Sequence, residues 1–449
     1  MFVDFMTERF GESEQKDALV WREQTFSYQE ILRFYQDCRD FLQKQSVVPF
    51  SVVSLEADFS PLSIGFLLAL VEQGSTIVPL TTSVEAKKPE FREIAEVEYV
   101  LKVGDKIGDC EVVATGRRAT HPILARVREM RHPALILFSS GSTGKSKAAV
   151  HDFLPLLDKF KTPRKSKRMI SFLLFDHIGG INTLLYVLSN TGTLVTVEGR
   201  APETIAKAIE KYRVEALPTS PTFLNLLLMS EAHRGRDLSS LELITYGTEP
   251  MPESTLTRLR TAFPGVQLQQ TYGLSELGIL RSKSKSADSL WVKIGGEGFE
   301  TRVRDGLLEI KAKSAMLGYL NAPSPFTEDG WFKTGDVVEV DGEYFRILGR
   351  KSDLINVGGE KVYPAEIESA LLQMPGVEQA VVTGEKNPIT GNLVKATVRL
   401  NRAETVDEFR KRMREVLRQQ GFANFKIPQK VVLADKELHT ERFKQARQV

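Results

Sequence analysis

Apolar and polar positions along the first two-thirds of the chain alternate between two periods. Residues 194–197 (Leu-Val-Thr-Val) form the short apolar run of a buried strand. Pro202 then opens a segment in which Ile205, Ile209 and Tyr212 recur at i, i+4 and i+7, so that one helical face is apolar. Residues 214–217 return to a strand pattern, which Pro218 and Pro221 close. Strand–helix–strand units this short predict parallel strands joined by crossover helices, hence a doubly wound α/β body. Residues 134–138 and 241–246 supply further strands of the same type. The greasiest stretch, 61–71, is apolar all round but too short to span a bilayer, and Glu72 and Gly74 end it; it predicts a buried helix.

Beyond about Trp291 the texture changes. Asp305-Gly306 and Asp341-Gly342 each sit between apolar or alternating runs, a strong hairpin signal that predicts a small antiparallel β subdomain. After Gly349-Arg350 comes a compact mixed segment. It has a helix over 364–372, strands at 380–382, 393–400 and 430–433, and a charged helix over 406–418. About a hundred residues with their own apolar set form a separable unit. The expected division is therefore 1–349 and 350–449.

At 449 residues the chain exceeds one ordinary core, in keeping with that division. A net charge of +2 gives no general attraction to nucleic acid or membranes, and no integral membrane segment is expected. Cys38 and Cys110 are far apart and lack metal-type spacing, which argues against a disulfide framework or a cysteine-bound zinc and favours a reducing cytoplasm. The N-terminus has no basic stretch followed by an apolar core, so no secretory leader is read there.

The chemistry concentrates in a few polar segments. The strand at 134–138 empties into Ser139-Ser140-Gly141-Ser142-Thr143-Gly144-Lys145-Ser146-Lys147. Glycines let backbone N–H groups converge, hydroxyls add donors and lysines add charge, a combination suited to polyphosphate. The Walker pattern fits only at its end: it needs a glycine where Ser139 stands. Gln270-Thr271-Tyr272-Gly273-Leu274-Ser275-Glu276 brings an aromatic face, a turn and a carboxylate, and Trp331 to Asp336 ends in another carboxylate. A glycine-rich polar loop runs from Gly349-Arg350 through Ser352, Gly358 and Gly359 into a helix. Thr440-Glu441-Arg442-Phe443-Lys444-Gln445-Ala446-Arg447 places a lysine five residues from the last.

In order and number these segments resemble those of the adenylate-forming superfamily: acyl- and aryl-CoA synthetases, adenylation domains of nonribosomal peptide synthetases, and firefly luciferase. Acyl-CoA synthetases are the nearest in pattern. The resemblance spans essentially the whole chain and implies a large N-terminal domain of two α/β parts and a β subdomain, with a small mobile α+β C-terminal domain. It implies ATP, Mg²⁺ and CoA, or the phosphopantetheine of an acyl carrier protein, acting through an acyl-adenylate on a small carboxylic acid, either fatty or aryl. By that resemblance Ser139, Ser140, Gly141, Ser142, Thr143, Gly144 and Lys147 cradle phosphates, and Glu276 holds the metal. Gly247, Thr248 and Glu249 face Thr271, Tyr272, Gly273 and Ser275 across the adenine, while Asp336 and Arg350 take the ribose. Lys444 bridges the attacking carboxylate and the α-phosphate; Lys444, Glu276 and Lys147 form the catalytic set. His177 and Gly179 border the acyl pocket, Ser352 marks the hinge, and Gly358 and Gly359 the thiol tunnel.

The chain departs from the family pattern in several places. Ser146 and Ala148 replace proline and glycine, Ser275 the commoner threonine, and Ser352 an aspartate or lysine. Asp176 takes an aromatic's place before His177, and Phe443 a glycine's before Lys444. Asp176 keeps open an amino-acid substrate, since amino-acid-activating relatives hold the ammonium with an aspartate in this region. Two rivals stand beside a CoA ligase: an enzyme loading a carrier protein, and a non-catalytic adenylate-binding protein of the same fold. The basic run Lys159, Lys161, Arg164, Lys165, Lys167, Arg168 reads as a solvated loop, or else as a contact for CoA phosphate or an acidic carrier.

Overall fold

The computed structural model describes residues 2–140, 146–286, 289–296 and 298–447. Two seven-stranded sheets form the body. In one, Thr76–Leu80, Val52–Glu56, Tyr99–Lys102 and Ala134–Ser140 run parallel. In the other, Arg168–Ile170, Thr193–Val195, Ala216–Thr219, Leu243–Tyr246, Gln267–Gln270 and Asp17–Trp21 do so. Each sheet also carries antiparallel edge strands, such as Gln24–Ser27 and Glu111–Ala114. The expected strands are present with shifted ends. Residues 194–197 become Thr193–Val195 and 214–217 become Ala216–Thr219, because the ladder to neighbouring strands, rather than local hydrophobicity, decides where pairing stops.

Helix Pro61–Glu72 is buried on every side from Pro61 to Val71, as its uniform apolarity requires. It packs against the amphipathic helix Tyr28–Lys44. A side chain at Gly65 would stand 2.9 Å from the carbonyl oxygen of Phe34, so glycine sets the closeness of that pair.

The β subdomain is a six-stranded antiparallel sheet that begins earlier than expected, at Ser282–Ser284. Both hairpin signals fold as hairpins. Arg304 pairs with Leu307 across Asp305 (φ 52°) and Gly306 (φ 73°), a type I′ arrangement. In the second, Asp341 itself pairs with Tyr344, so the turn residues are Gly342 (φ 59°) and Glu343, one position later than the dipeptide suggests. From Ile355 onward a five-stranded sheet and the helices Pro364–Leu371 and Val406–Gln419 enclose a separate core around Ile367, Val382, Val398, Phe409 and Met413. No helix of the described residues is long and apolar enough to cross a membrane.

The Walker reading fails on topology. Ala134–Ser140 is followed by an antiparallel strand, Ser146–Asp152, with Ser140 opposite Ser146, whereas a P-loop leads into a helix. Gly141, Ser142, Thr143, Gly144 and Lys145 lie outside the described residues.

Candidate functional site

The strand pair just described fixes Lys147 opposite Ser139, with Ser140 one residue nearer the strand end. The Lys147 ammonium lies 5.4 Å from the centre of the Tyr319 ring, whose hydroxyl donates to Glu276 Oε1 at 2.6 Å. Tyr319 thus joins the lysine that leaves the phosphate segment to the carboxylate expected at the metal. It comes from the two-residue strand Gly318–Tyr319, added antiparallel to Ser146–Asp152. Next to it Asn321 accepts from the Ala148 N–H at 2.9 Å and donates to the Ser146 carbonyl at 2.8 Å, pinning that strand to the β subdomain. Neither residue stands out in the sequence: a two-residue strand has no period, and only the Gly-Tyr pair hints at a close turn.

Glu276 sits in the turn between the paired strands Gly273–Leu274 and Gly278–Ile279. Its Oε2 has no hydrogen-bond partner among the described residues, and these contain no cluster of three or more metal-ligating side chains. Ser275 accepts from Nε2 of His151 at 2.5 Å. His151 is fully buried and burial depresses its pKa, so it stands neutral with Nδ1 unpartnered among the described residues.

Asp336 and Arg350 face each other across neighbouring strands of the β subdomain. The hairpin register at Asp341–Tyr344 would place Gly349 opposite Asp336. A slip between Val337 and Val338, with Leu348 as the extra residue, moves Arg350 there instead. Arg350 Nε then lies 2.8 Å from Asp336 Oδ1, and a second guanidinium N–H donates to the Thr334 carbonyl at 2.6 Å. The Tyr272 hydroxyl donates to the other carboxylate oxygen in a short hydrogen bond. Asp336 is buried; desolvation raises its pKa, opposed by Arg350. Tyr272 is buried too, and burial followed by the Asp336 charge raises its pKa well above the ordinary value.

The segment after Leu243–Tyr246 runs against Thr271: a side chain at Gly247 would stand 2.7 Å from the Thr271 carbonyl, so only glycine fits. Thr248, at φ 74°, is exposed. Glu249 turns inward and accepts from the Thr222 N–H at 2.8 Å and from the Gln445 N–H at 3.1 Å. Burial raises its pKa.

That second bond brings in the end of the chain. Thr440 and Lys444 close a tight loop, N–H to carbonyl at 2.8 Å, against the N-terminal body. The lysine is partly buried, and desolvation lowers its pKa. Glu249 and Glu276 pull in the opposite direction, while Arg442 and Arg350 reinforce the fall. Its charge also acts on His177, whose pKa burial, Lys444 and Arg442 drive well below the ordinary value. His177 caps helix Ile178–Ser189 by accepting from the Gly179 N–H at 3.0 Å. A side chain at Gly179 would meet Leu173 at 2.3 Å. Asp176 accepts at 3.0 Å from both Thr81 and Arg442 on one oxygen.

Lys444, Glu249, Glu276, Arg350, Asp336, Tyr272 and His177 are therefore linked by hydrogen bonds or electrostatic influence into one neighbourhood, taken below as the candidate cleft. Other expected residues stand apart. Ser352 is exposed and donates to Asp353 at 3.0 Å; Gly358 (φ 59°) and Gly359 (φ 93°) form an exposed hairpin turn. None of their described hydrogen bonds reaches this cleft. Part of the basic run is engaged in ion pairs within the chain, while Lys161, Arg164 and Lys165 are exposed. Lys161 pairs with Asp158, Lys165 and Lys167 with Glu242, and Arg168 with Asp17. Lys159 donates to Asn182 and to the Ile279 carbonyl, and burial pushes its pKa down to about 7.

Comparison with known proteins gives a consistent picture. Residues 6–299 match the model of the AMP-binding enzymes, and residues 366–444 that of the AMP-binding enzyme C-terminal domain. An indoleacetate–CoA ligase of Aromatoleum aromaticum is 26% identical, covering 94% of this chain and 91% of that protein. Among solved structures, the anthranilate CoA ligase AuaEII in complex with anthranoyl-AMP superimposes with a TM-score of 0.83 at 20% identity, over 99% of this chain and 95% of that one. ATP-bound MatB from Rhodopseudomonas palustris does so with a TM-score of 0.80 at 24% identity, over 98% and 97%. At these identities the structural likeness concerns the fold.

Proposed function

Because the chain belongs to the AMP-binding enzyme family, we propose that it uses this cleft to activate an aryl carboxylic acid and passes the acyl group to CoA. It is an AMP-forming acid–thiol ligase that draws on ATP and CoA. In the first half-reaction a carboxylate oxygen attacks the α-phosphorus, the bond to the bridging oxygen breaks, and pyrophosphate leaves with the electron pair. In the second, the CoA thiolate attacks the acyl carbon and AMP departs.

One observation carries the residue assignments: a lysine five residues from the last lies within the electrostatic reach of Glu249, Glu276 and Arg350. Negative charge grows on the phosphoryl oxygens in the transition state, so a fixed ammonium there stabilises it. Lys147, on the arm that leaves the phosphate segment, adds a second cation. Asp336 and Arg350 present an acceptor and donors to the ribose hydroxyls. Gly247, Thr248 and Glu249 line the cleft opposite Thr271, Tyr272, Gly273 and Ser275. Residues 1–349 and 350–449 act as two units, with Ser352 at the joint and the Gly358-Gly359 turn serving the thiol after the small unit swings.

A metal fits this arrangement. Among the described residues Glu276 offers one oxygen without a protein hydrogen-bond partner, and no all-protein cage competes there. That suits Mg²⁺, which takes one or two carboxylates and completes its shell with phosphate and water. When bound it neutralises phosphate charge. Excess EDTA is expected to bring adenylate formation to background, with recovery on added Mg²⁺. Glu276→Gln should raise the Mg²⁺ concentration for half-maximal rate about tenfold or more. An unchanged Mg²⁺ dependence in the variant would remove Glu276 from the metal.

Aryl acids are favoured because the relatives described above act on indoleacetate and anthranilate. The aspartate that kept an amino-acid substrate open is held by Arg442 and Thr81. ATP–pyrophosphate exchange with indole-3-acetate, anthranilate, cinnamate, octanoate and phenylalanine tests the reading. Exchange is expected to be fastest with an aryl acid and to be followed by a CoA thioester. Fastest exchange with phenylalanine would overturn the substrate class; no exchange with any acid would favour a non-catalytic adenylate-binding protein.

A further inference from the structure

Two departures from the family pattern meet in space. Asp176, in an aromatic's place, and the Arg442-Phe443 pair, whose second member takes a glycine's place, lie 266 residues apart in sequence, yet Arg442 donates to Asp176 Oδ2 at 3.0 Å. That oxygen is buried and also accepts from Thr81, so the ion pair sits in the N-terminal body rather than on its surface. Phe443 follows at φ 51°, a conformation that a bulky residue adopts only when its surroundings hold it there. The holding groups are visible. Its ring packs 5.4 Å from Phe172 and 5.6 Å from Phe223, centre to centre, and Arg200 lies over it at 5.2 Å. Its carbonyl accepts from the Ser220 hydroxyl at 2.7 Å, and the Glu441 carbonyl accepts from Arg200 at 2.6 Å. On the other side of Lys444, Gln445 is tied to Glu249. The lysine is thus clamped on both flanks by groups of the large unit.

We propose that Arg442 and Phe443 are positioning residues for Lys444. Their seat on Asp176 and on the Phe172–Phe223 pocket holds the lysine in the cleft for adenylate formation, and the small unit must leave that seat before the thioester step. This rests on the ligase reading above. A glycine before the lysine would give the backbone freedom without any grip. In this chain an arginine and an aromatic ring supply the grip, and Asp176 exists to receive it.

The two half-reactions separate this role from a general structural one. With the best acid of the exchange panel, Asp176→Asn and Arg442→Gln are each expected to slow single-turnover adenylate formation about tenfold to a hundredfold, the scale of a small misplacement of a reacting group. Thioester formation from supplied acyl-adenylate and CoA should remain within about twofold of the parent or become faster, because the seat is already empty in that step. The double variant should be no slower than either single one, since both remove one contact. Multiplying losses, or equal losses in both half-reactions, would overturn the proposal. Arg442 lies outside every core, so Arg442→Gln keeps the test valid should Asp176→Asn fold poorly. A second readout needs no turnover: trypsin should cleave after Lys444 several-fold faster in both variants, followed by mass spectrometry of the intact chain. Equal cleavage rates would dismiss the seat even if the protein activated no acid at all, whereas faster cleavage with no exchange in the parent would fault only the ligase reading.

Discussion

Lys444→Ala is expected to slow acyl-adenylate formation by about 10²–10³-fold, the scale on which losing one fixed donor to a developing anion is felt. Thioester formation from supplied acyl-adenylate should stay within about threefold of the parent. The asymmetry follows from where the lysine sits. Its ammonium feels the charges of Glu249, Glu276, Arg350 and Arg442, with desolvation pressing its pKa down. A charge withdrawn from water interacts more strongly with a phosphoryl group than an exposed one would. The loop that carries it is secured by its own Thr440 and by Glu249, and removing the side chain beyond Cβ leaves those backbone contacts in place. Folding and the second half-reaction should therefore survive. Single-turnover measurement of each half-reaction checks this; equal loss in both would mean that the lysine does not act at the phosphate.

Asp336→Ala should have the next largest effect, a fall of about 10²-fold or more in kcat/KM for ATP. Asp336 is buried and receives Tyr272 on one oxygen and Arg350 on the other. Its removal takes away the proposed ribose acceptor and leaves the Arg350 guanidinium without its carboxylate. Tyr272→Phe is the control. It removes only the hydroxyl that occupies one carboxylate oxygen, so its effect on kcat/KM for ATP should stay within about tenfold. Were the two variants equally impaired, the carboxylate would matter for holding Tyr272 rather than for binding nucleotide. Steady-state kinetics with varied ATP decides between these outcomes.

Much of this was legible in the chain. The hydrophobic periods placed strands and helices because burial imposes them locally, and Asp-Gly marked the hairpin that brings residues 336 and 350 near each other. The pairing itself was not legible. It depends on a one-residue slip at Leu348, and nothing in the composition of Ile347-Leu348-Gly349 announces a bulge. Tyr319 and Asn321 were missed for a related reason, since their partners lie more than 40 residues away and the strand that ends at Tyr319 has two residues. Asp176 was visible as an oddity, but an aspartate gives no sign of whether it awaits a substrate ammonium or an arginine of its own chain. Arg442 answers that only in three dimensions.

The slip at Leu348 also decides which side chain stands where the chain passes from one sheet to the next. The strand in which it occurs, Tyr344–Arg350, is the last in sequence of the six-stranded sheet, and the next strand, Ile355–Val357, belongs to the five-stranded one. The guanidinium that grips Asp336 thus belongs to the last residue of that strand. The Asp336–Arg350 pair therefore stands at the boundary between the six-stranded sheet and the five-stranded one, immediately before the turn Lys351–Asp353.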